Sequence, residues 1–282
     1  MSLRQTIAAA APRIATNPEL QPDAYRDAEL LLLHILGLPR TALFLDPNRA
    51  LGEAEQRRFD NVIDRRATGE PIQYITGEQE FYGLTLRVTP AVLIPRPETE
   101  LLVEAVLQRL PSERPLRIAD IGTGSGAISI ALAIHRPAAQ ITTLDISPAA
   151  LAVARENALT HNVADRIRFL ESDLLSAVAA EPPFDAIVSN PPYVPETDRA
   201  TLHSQVRDHE PATALFAGPD GLRIYARLIP QAHAALPPGG LLALEFGHGQ
   251  RDALAALLKD WKDVVFLDDL QQIPRVALAH RP

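Results

Sequence analysis

The chemistry of this chain is narrowest at Asn190-Pro191-Pro192-Tyr193. Two consecutive prolines fix φ and remove two backbone N–H groups, which leaves the carbonyls of Asn190 and Pro191 free to face a ligand. The side-chain oxygen of Asn190 adds a third acceptor, and Tyr193 offers a flat face for a planar group. Such a set suits gripping the –NH2 of a planar, conjugated nitrogen, whose lone pair is drawn into the π system and makes it a poor nucleophile. Holding both N–H bonds while a methyl group approaches lets that nitrogen pyramidalise and recover its lone pair. That is electrostatic preorganisation rather than strong-base catalysis. Read alone, the tetrapeptide also fits a proline-rich strand exit with Asn as a turn former.

A second constellation lies upstream. In Asp120-Ile121-Gly122-Thr123-Gly124-Ser125-Gly126 the glycines permit positive φ and close approach of backbone to ligand. The helix N-terminus that follows favours a negative group. Asp145 ends the next expected strand, where an acid takes hydrogen bonds from a ribose diol. Gly122, Gly124 and Ala127 also satisfy the dinucleotide-binding pattern, so these residues imply a nucleotide-like cofactor without separating NAD from S-adenosylmethionine. A Walker loop is excluded, because no Gly-Lys-Ser/Thr follows. The eight histidines are scattered without metal-ligand spacing, so no metal is expected, and His203 and His209 need no role. Gly124-Ser125-Gly126 lacks the spacing of a nucleophile elbow.

The surrounding pattern supplies elements to position these groups. The chain reads as helical to about residue 70, with Leu3, Ile7, Ala10 and Ile14 suiting a first amphipathic helix better than a targeting segment. Asp23 is expected to cap a helix that stops at Gly37, and Glu53 to Arg66 to form another, with Phe59, Val62 and Ile63 on one face. Ile72 to Ile75 and Phe81 to Val88 read as two strands of a hairpin around Gly77-Glu78, and Pro97 as the first residue of a helix. From Leu116 the pattern repeats strand, turn and helix. Strands are expected at Leu116 to Ile121, Ile141 to Ile146, Ile167 to Leu170, Ala186 to Ser189, Leu241 to Phe246 and Val264 to Leu267. Intervening helices are expected at Ala127 to Ile134, Pro148 to Ala158 and Gly221 to Ala235. This is the α/β signature of a doubly wound, mostly parallel sheet. Asn190 then falls at the C-terminal end of the fourth strand, where such sheets bind ligands.

Composition sets the bounds. The 282 residues are 46% hydrophobic and 22% charged, enough for two domains with packed cores and no staple. Zero cysteines exclude disulfides, thiolate metal sites and a cysteine nucleophile. A net charge of −8 argues against a long phosphate backbone as the main partner. No apolar run reaches membrane-spanning length, so no membrane partner and a cytoplasmic location are expected.

Taken together, the glycine turn, Asp145 and Asn190 to Tyr193 resemble class I S-adenosylmethionine-dependent methyltransferases that modify planar nitrogens. The tetrapeptide is shared by adenine-N6 DNA, some ribosomal RNA guanine and protein-glutamine methyltransferases, which leaves the substrate open. Other segments are more discriminating: Gly69 to Gly77, Glu80-Phe81-Tyr82-Gly83, and Ile94-Pro95-Arg96-Pro97-Glu98-Thr99-Glu100. They resemble the HemK/PrmC family, and the likeness continues through Glu210-Pro211, Gly218 to Leu222, Glu245-Phe246-Gly247 and Gln250. A sister family that methylates a ribosomal-protein glutamine departs from the Pro95 to Glu100 run, which is intact here.

The resemblance implies methylation of the Gly-Gly-Gln glutamine of class-1 peptide-chain release factors, with no direct nucleic-acid partner. It implies a helical docking domain (residues 1–70), a hairpin linker (71–92) and a Rossmann-like catalytic domain (93–282). Gly122, Thr123, Gly124, Ser125 and Gly126 would line S-adenosylmethionine, Asp145 would hold its ribose, and Asp173-Leu174 would meet its adenine, with Leu174 replacing a frequent aromatic. Asn190 would touch cofactor and substrate, and Asn190, Pro191, Pro192 and Tyr193 would grip the glutamine amide. Arg96, Glu98 and Glu100 would shape the mouth of the site or form surface ion pairs. Glu245 would be structural or border the substrate.

Overall fold

The computed structural model of the chain describes residues 1–46, 48–112 and 114–282. It opens with helices α1 (Leu3–Ile14), α2 (Ala24–Leu36), α3 (Ala42–Leu45), α4 (Glu53–Ala67) and α5 (Ile72–Thr76). Next come the hairpin strands β1 (Glu78–Phe81) and β2 (Leu84–Arg87), and helix α6 (Glu98–Arg109). The α/β portion runs β3 (Leu116–Ile121), α7 (Ala127–His135), β4 (Ala139–Asp145), α8 (Pro148–Thr160), β5 (Ile167–Glu171) and β6 (Ala186–Ser189). Helices α9 (Ser204–His209) and α10 (Arg223–Ala235), strand β7 (Leu241–Glu245), helix α11 (Arg251–Leu257), and strands β8 (Lys262–Asp268) and β9 (Pro274–His280) complete it. No helix of the described residues is long and apolar enough to cross a membrane.

The chain forms two compact units, Met1–Glu78 with Leu202–His209, and Gln79–Thr201 with Glu210–Pro282. In the first unit, α1 starts with a capping box between Ser2 and Gln5 and buries Leu3, Ile7, Ala10 and Ile14, the spacing expected of an amphipathic helix. These meet Leu31 and Leu32 of α2 and Phe59 and Ile63 of α4 in one core. Arg66 is nearly enclosed and pairs with Asp27 at 2.6 Å, and its remaining donors reach the Glu70 carbonyl and Gln205 of α9. Gly37 ends α2 in the left-handed conformation, as expected. Asp23 precedes that helix, but its side chain makes no capping bond, because a 3₁₀ turn over Gln21–Asp23 leads directly into the first helical turn.

In the second unit, seven strands follow the order β5-β4-β3-β6-β7-β9-β8, with β3 to β7 parallel and β9 antiparallel to both β7 and β8. The strand order reverses beside β3, creating the crevice that doubly wound sheets use for ligands. Register makes this concrete. Leu144, Ile121 and Ser189 pair in one row across β4, β3 and β6, so Asp145, Gly122 and Asn190 emerge side by side in the next. Ser189 fixes the row by donating to the Ile121 carbonyl at 2.7 Å. Helices α6 and α7 cover one sheet face with Val103, Val106, Ile130 and Leu132. Helix α10 covers the other with Tyr225, Leu228 and Ile229.

Two segments depart from the sequence expectation. Ile72 to Ile75, expected as a strand, is α5; Pro71 starts it with an extended ψ and Gly77 ends it at φ +81°, so punctuation at both ends closes one helical turn. The hairpin therefore begins later and turns at Tyr82-Gly83, both with positive φ, the geometry of a two-residue primed turn. Strand β9 is an addition to the expected set; it fills the place between β7 and β8 with buried Val276, Ala277, Leu278 and Ala279. Buried Asn157 of α8 ties the hairpin down, accepting from the Arg87 N–H at 2.7 Å and donating to the carbonyls of Arg87 and Ser125.

Candidate active site

A cavity of about 320 Å³ opens at the C-terminal ends of β3, β4 and β6, lined by Gly122, Gly124, Asp145, Asp173, Leu174 and Asn190 among others. The glycine turn is shaped by its neighbours. The N–H groups of Gly122 and Thr123 donate to the Leu144 carbonyl, and the Gly124 N–H donates to the Asp145 carboxylate at 2.9 Å. Gly122, Gly124 and Gly126 all have positive φ. At Gly126 a Cβ would come within 3.1 Å of Ala154 and Ile130, so this glycine serves helix packing and is not a lining residue. Thr123 and Ser125 are also turned away. The Thr123 hydroxyl donates to Asp120, and the Ser125 carbonyl accepts from Asn157. Of the five turn residues, the cavity wall therefore takes only Gly122 and Gly124.

Asp120 lies wholly buried beneath the turn and accepts from Ser129, Thr123 and Thr143 through one oxygen, while its Oδ1 has no partner among the described residues. Burial pushes its carboxyl up to about 6 against the pull of those three hydroxyls. Asp145 is also raised by burial and held back by backbone N–H groups of Gly124, Ser147 and Ile146. Two of these donors sit on separate oxygens, Gly124 on Oδ2 and Ser147 on Oδ1. With about four acceptor sites and three N–H donors, the carboxylate still has room for a ribose hydroxyl. Ile146, 61% exposed beside this acid, and Leu174, held at φ +53° while Ser172 donates to its carbonyl, supply apolar wall for a flat ring. Asp173 is bound to Arg227 at 2.6 Å. Volume, glycine approach, a hydroxyl acceptor and apolar wall all fit a nucleoside-bearing cofactor.

Asn190 lines the same cavity with Pro191 and Pro192. Its Nδ2 donates to the Thr99 hydroxyl oxygen at 3.0 Å, so the amide oxygen and the two backbone carbonyls remain as the acceptors of the set. Tyr193, expected to offer a face to a planar group, is not in the cavity lining. Its hydroxyl donates to Glu245 at 3.4 Å and its carbonyl accepts from Gln250 at 2.9 Å. Gly221 and Gly247 make that placement possible, since a Cβ would stand 2.2 Å from the Tyr193 carbonyl oxygen and 2.9 Å from its ring respectively. Burial raises the Tyr193 phenol far above its ordinary range, and the nearby Glu245 raises it further.

Arg96 reaches Glu210 at 2.5 Å, where the carboxylate is only 1% exposed and also accepts from the Ile94 N–H, so this pair has one end in the protein interior. Glu100 caps the hairpin turn by accepting from the Tyr82 N–H at 2.7 Å. His203 and His209 belong to the first unit and do not line the cavity. Sequence reading quoted Thr99 and Gln250 only within the resemblance and gave neither a role as a polar partner of the loop, and it missed Phe216 and Arg227 of the lining. A threonine in the first turn of a helix carries no signal of its role until the fold sets it beside Asn190.

Comparison with known proteins follows the same division. Residues 15–77 match the PrmC N-terminal domain family, and residues 97–208 match the methyltransferase small domain family. A release factor glutamine methyltransferase of Koribacter versatilis is 46% identical over 93% of this chain and 92% of its own length. One of Moorella thermoacetica is 45% identical over 100% of this chain and 99% of its own. Among solved structures, a T. thermophilus 16S rRNA methyltransferase in complex with AdoMet and guanosine matches at TM-score 0.54 and 23% identity, covering 73% of this chain and 50% of that one. A ribosomal protein L11 methylase of Lactobacillus delbrueckii subsp. bulgaricus matches at TM-score 0.51 and 22% identity, over 70% of this chain and 86% of that one. These two likenesses establish a shared fold.

Proposed function

The chain belongs to the release factor glutamine methyltransferase family, and we propose that it methylates the side-chain nitrogen of the Gly-Gly-Gln glutamine in class-1 peptide-chain release factors, tuning translation termination. The observation that carries this reading is the fixed amide of Asn190. With Nδ2 committed to Thr99, its oxygen and the Asn190 and Pro191 carbonyls form an acceptor set in the cavity that Asp145 also lines. S-adenosylmethionine is the methyl donor of this reading. Asp145 would hold its ribose, Gly122 and Gly124 would allow the backbone to approach, and Ile146 and Leu174 would flank its adenine. When bound, it supplies an electrophilic methyl group on a sulfonium.

The chain's own residues then do the remaining work. The loop from Asn190 to Tyr193 accepts hydrogen bonds from both N–H groups of the glutamine amide and aims the nitrogen lone pair at the methyl carbon. Methyl transfer would join the glutamine nitrogen to the methyl carbon as the carbon–sulfur bond is lost, with the bonding pair leaving on sulfur and one nitrogen proton passing to solvent. Positioning and acceptor alignment provide the acceleration. The helical residues 1–70 serve as the docking region for the release factor, 71–92 as the linker and 93–282 as the catalytic domain, acting in the cytoplasm. Incubation with labelled cofactor and a release factor, beside its Gln→Ala version in the Gly-Gly-Gln loop, is expected to label only the first. Equal labelling of both, or label in nucleic acid instead, would overturn the assignment.

A further inference from the structure

We propose that Thr99 and Glu245 form a positioning pair for Asn190, in which the Glu245 carboxylate takes the Thr99 hydroxyl proton and so turns the Thr99 lone pair toward the Asn190 amide. This rests on the methyl-transfer reading above and adds the device that sets the orientation of its central side chain. An asparagine amide is nearly symmetric in shape, and its two ends are opposite in function. Flipped, Asn190 would present –NH2 to an incoming –NH2, and the two donors would repel. Something must therefore fix the amide.

Thr99 is buried in the first turn of α6, and its oxygen accepts from Asn190 Nδ2 at 3.0 Å. A hydroxyl that accepts still has one proton to place, and among the described residues no other acceptor takes it. The Thr99 hydroxyl is one of the groups that favour the charged form of the Glu245 carboxyl at the end of β7. Glu245 is 1% exposed; its Oε1 receives the Tyr193 hydroxyl, and its Oε2 is sealed from solvent with no hydrogen-bond partner among the described residues. A carboxylate buried with an unused oxygen is costly unless it performs a task. Here it provides a strong acceptor behind the one hydroxyl that decides how Asn190 lies.

The groups that face Glu245 are Thr99 and Glu98 of α6, Tyr193 of the loop, Arg275 of β9, and Tyr225 of α10, which donates to its backbone carbonyl at 2.8 Å. Burial pushes its carboxyl up to about 7, opposed by the Thr99 and Tyr193 hydroxyls and by Arg275, and reinforced by Glu98. Above that value both hydroxyls donate to a carboxylate and the relay is set. Below it the carboxyl holds its own proton, the Thr99 hydroxyl loses its charged acceptor, and the Asn190 amide is held less firmly.

The test reads the amide directly. In ¹⁵N-labelled full-length protein, the Asn190 side-chain resonance is identified by its loss in Asn190→Ala. It is expected to titrate with a midpoint near 7 in the wild type and in Thr99→Ser, and to be independent of pH in Glu245→Gln and Thr99→Val. In parallel, Thr99→Val should lower kcat about 10- to 100-fold, the range for losing a partner behind an active-site group. Cofactor affinity should stay unchanged, and Thr99→Ser should restore turnover. A resonance that does not titrate in the wild type, one that still titrates in Glu245→Gln, or wild-type turnover in Thr99→Val would overturn the pair. A wild-type protein that fails to methylate release factor would sink the functional reading, while the amide titration would still decide the pair. If Glu245→Gln fails to fold, the two Thr99 variants carry the test.

Discussion

Asn190 and Asp145 face one cavity and divide its work, which their substitutions should reveal separately. In the proposed reaction Asn190 would contribute to the transition state, because its oxygen would be useful only while the nitrogen it holds is changing shape. Removing one preorganised partner of that kind costs on the order of 10²-fold or more in turnover. Asn190→Ala should therefore lower kcat by that factor and weaken cofactor binding much less; unchanged turnover in single-turnover assays would remove it from the chemistry. Asp145, as the proposed ribose acceptor, would contribute to the ground state. Charge-assisted hydrogen bonds are worth about 1.5–3 kcal/mol each, so losing the ribose acceptor should raise the cofactor dissociation constant on the order of 10²-fold. Calorimetry on Asp145→Ala checks this, and an affinity within a few-fold of the wild type would place the ribose elsewhere. Both residues were legible in the sequence because each ends a strand of a recognisable repeat. Thr123, Ser125 and Gly126 share that motif but lie off the cavity wall, since Asp120 takes the Thr123 hydroxyl, Asn157 donates to the Ser125 carbonyl, and Gly126 packs against Ala154 and Ile130. Tyr193 was misjudged as a face for substrate because its ring is directed by Gly247 and Glu245, residues over fifty positions downstream that no local pattern reveals.

Elements with strong period and clear punctuation were read correctly, as were the short strands at Ile167 to Leu170 and Ala186 to Ser189, whereas Ile72 to Ile75 was not. Strand β3 and helix α7 announce themselves through an apolar run, three glycines and a second apolar run. Ile72 to Ile75 is too short for period to decide, and alternation in a four-residue stretch fits one turn of helix equally well. Strand β9 starts on Pro274 and is rich in alanine, both poor strand signals, and only its place between β7 and β8 compensates through burial on both faces. The loop after β6 shows how elements far apart in sequence hold a catalytic segment. Gly221 precedes α10 with φ +74°, and the Gln250 side chain at the start of α11 donates to the Tyr193 carbonyl. Gly221→Ala should therefore act on the loop itself. Its Cβ would press against the Tyr193 carbonyl at 2.2 Å and Gln250 Nε2 at 2.5 Å, on top of an unfavourable backbone conformation. Strain of this kind destabilises by about 1–3 kcal/mol. The expected outcome is a lower melting temperature together with a fall in kcat of at least about 10-fold. Full activity in a protein that melts normally would show that the loop tolerates movement.

The whole molecule carries two carboxylates in an interior that resists charging them, and this gives its stability an unusual dependence on pH. Glu245 titrates near 7 when folded against an ordinary 4.5, and Asp120 near 6 against an ordinary 3.8. An acid whose folded value is raised binds more protons folded than unfolded between the two values, so it subtracts stability as pH rises through that interval. The penalty from Glu245 is absent below about pH 4.5, grows to about pH 7 and is constant above it. Asp60 beside Arg13 and Asp208 beside Arg207 act in the opposite sense, because the guanidinium lowers each carboxyl's value. The two effects overlap in the wild type, so the buried contribution must be isolated by removing it. Glu245→Gln keeps the shape and abolishes the titration. Its stability relative to the wild type should rise by about 2 kcal/mol between about pH 5 and pH 8, one pKa unit being worth 1.36 kcal/mol. Urea unfolding of both proteins at the two pH values measures that difference. A gap that stays constant with pH would mean that Glu245 keeps one protonation state throughout. A gap that shrinks would mean that its partners stabilise the carboxylate more than burial penalises it.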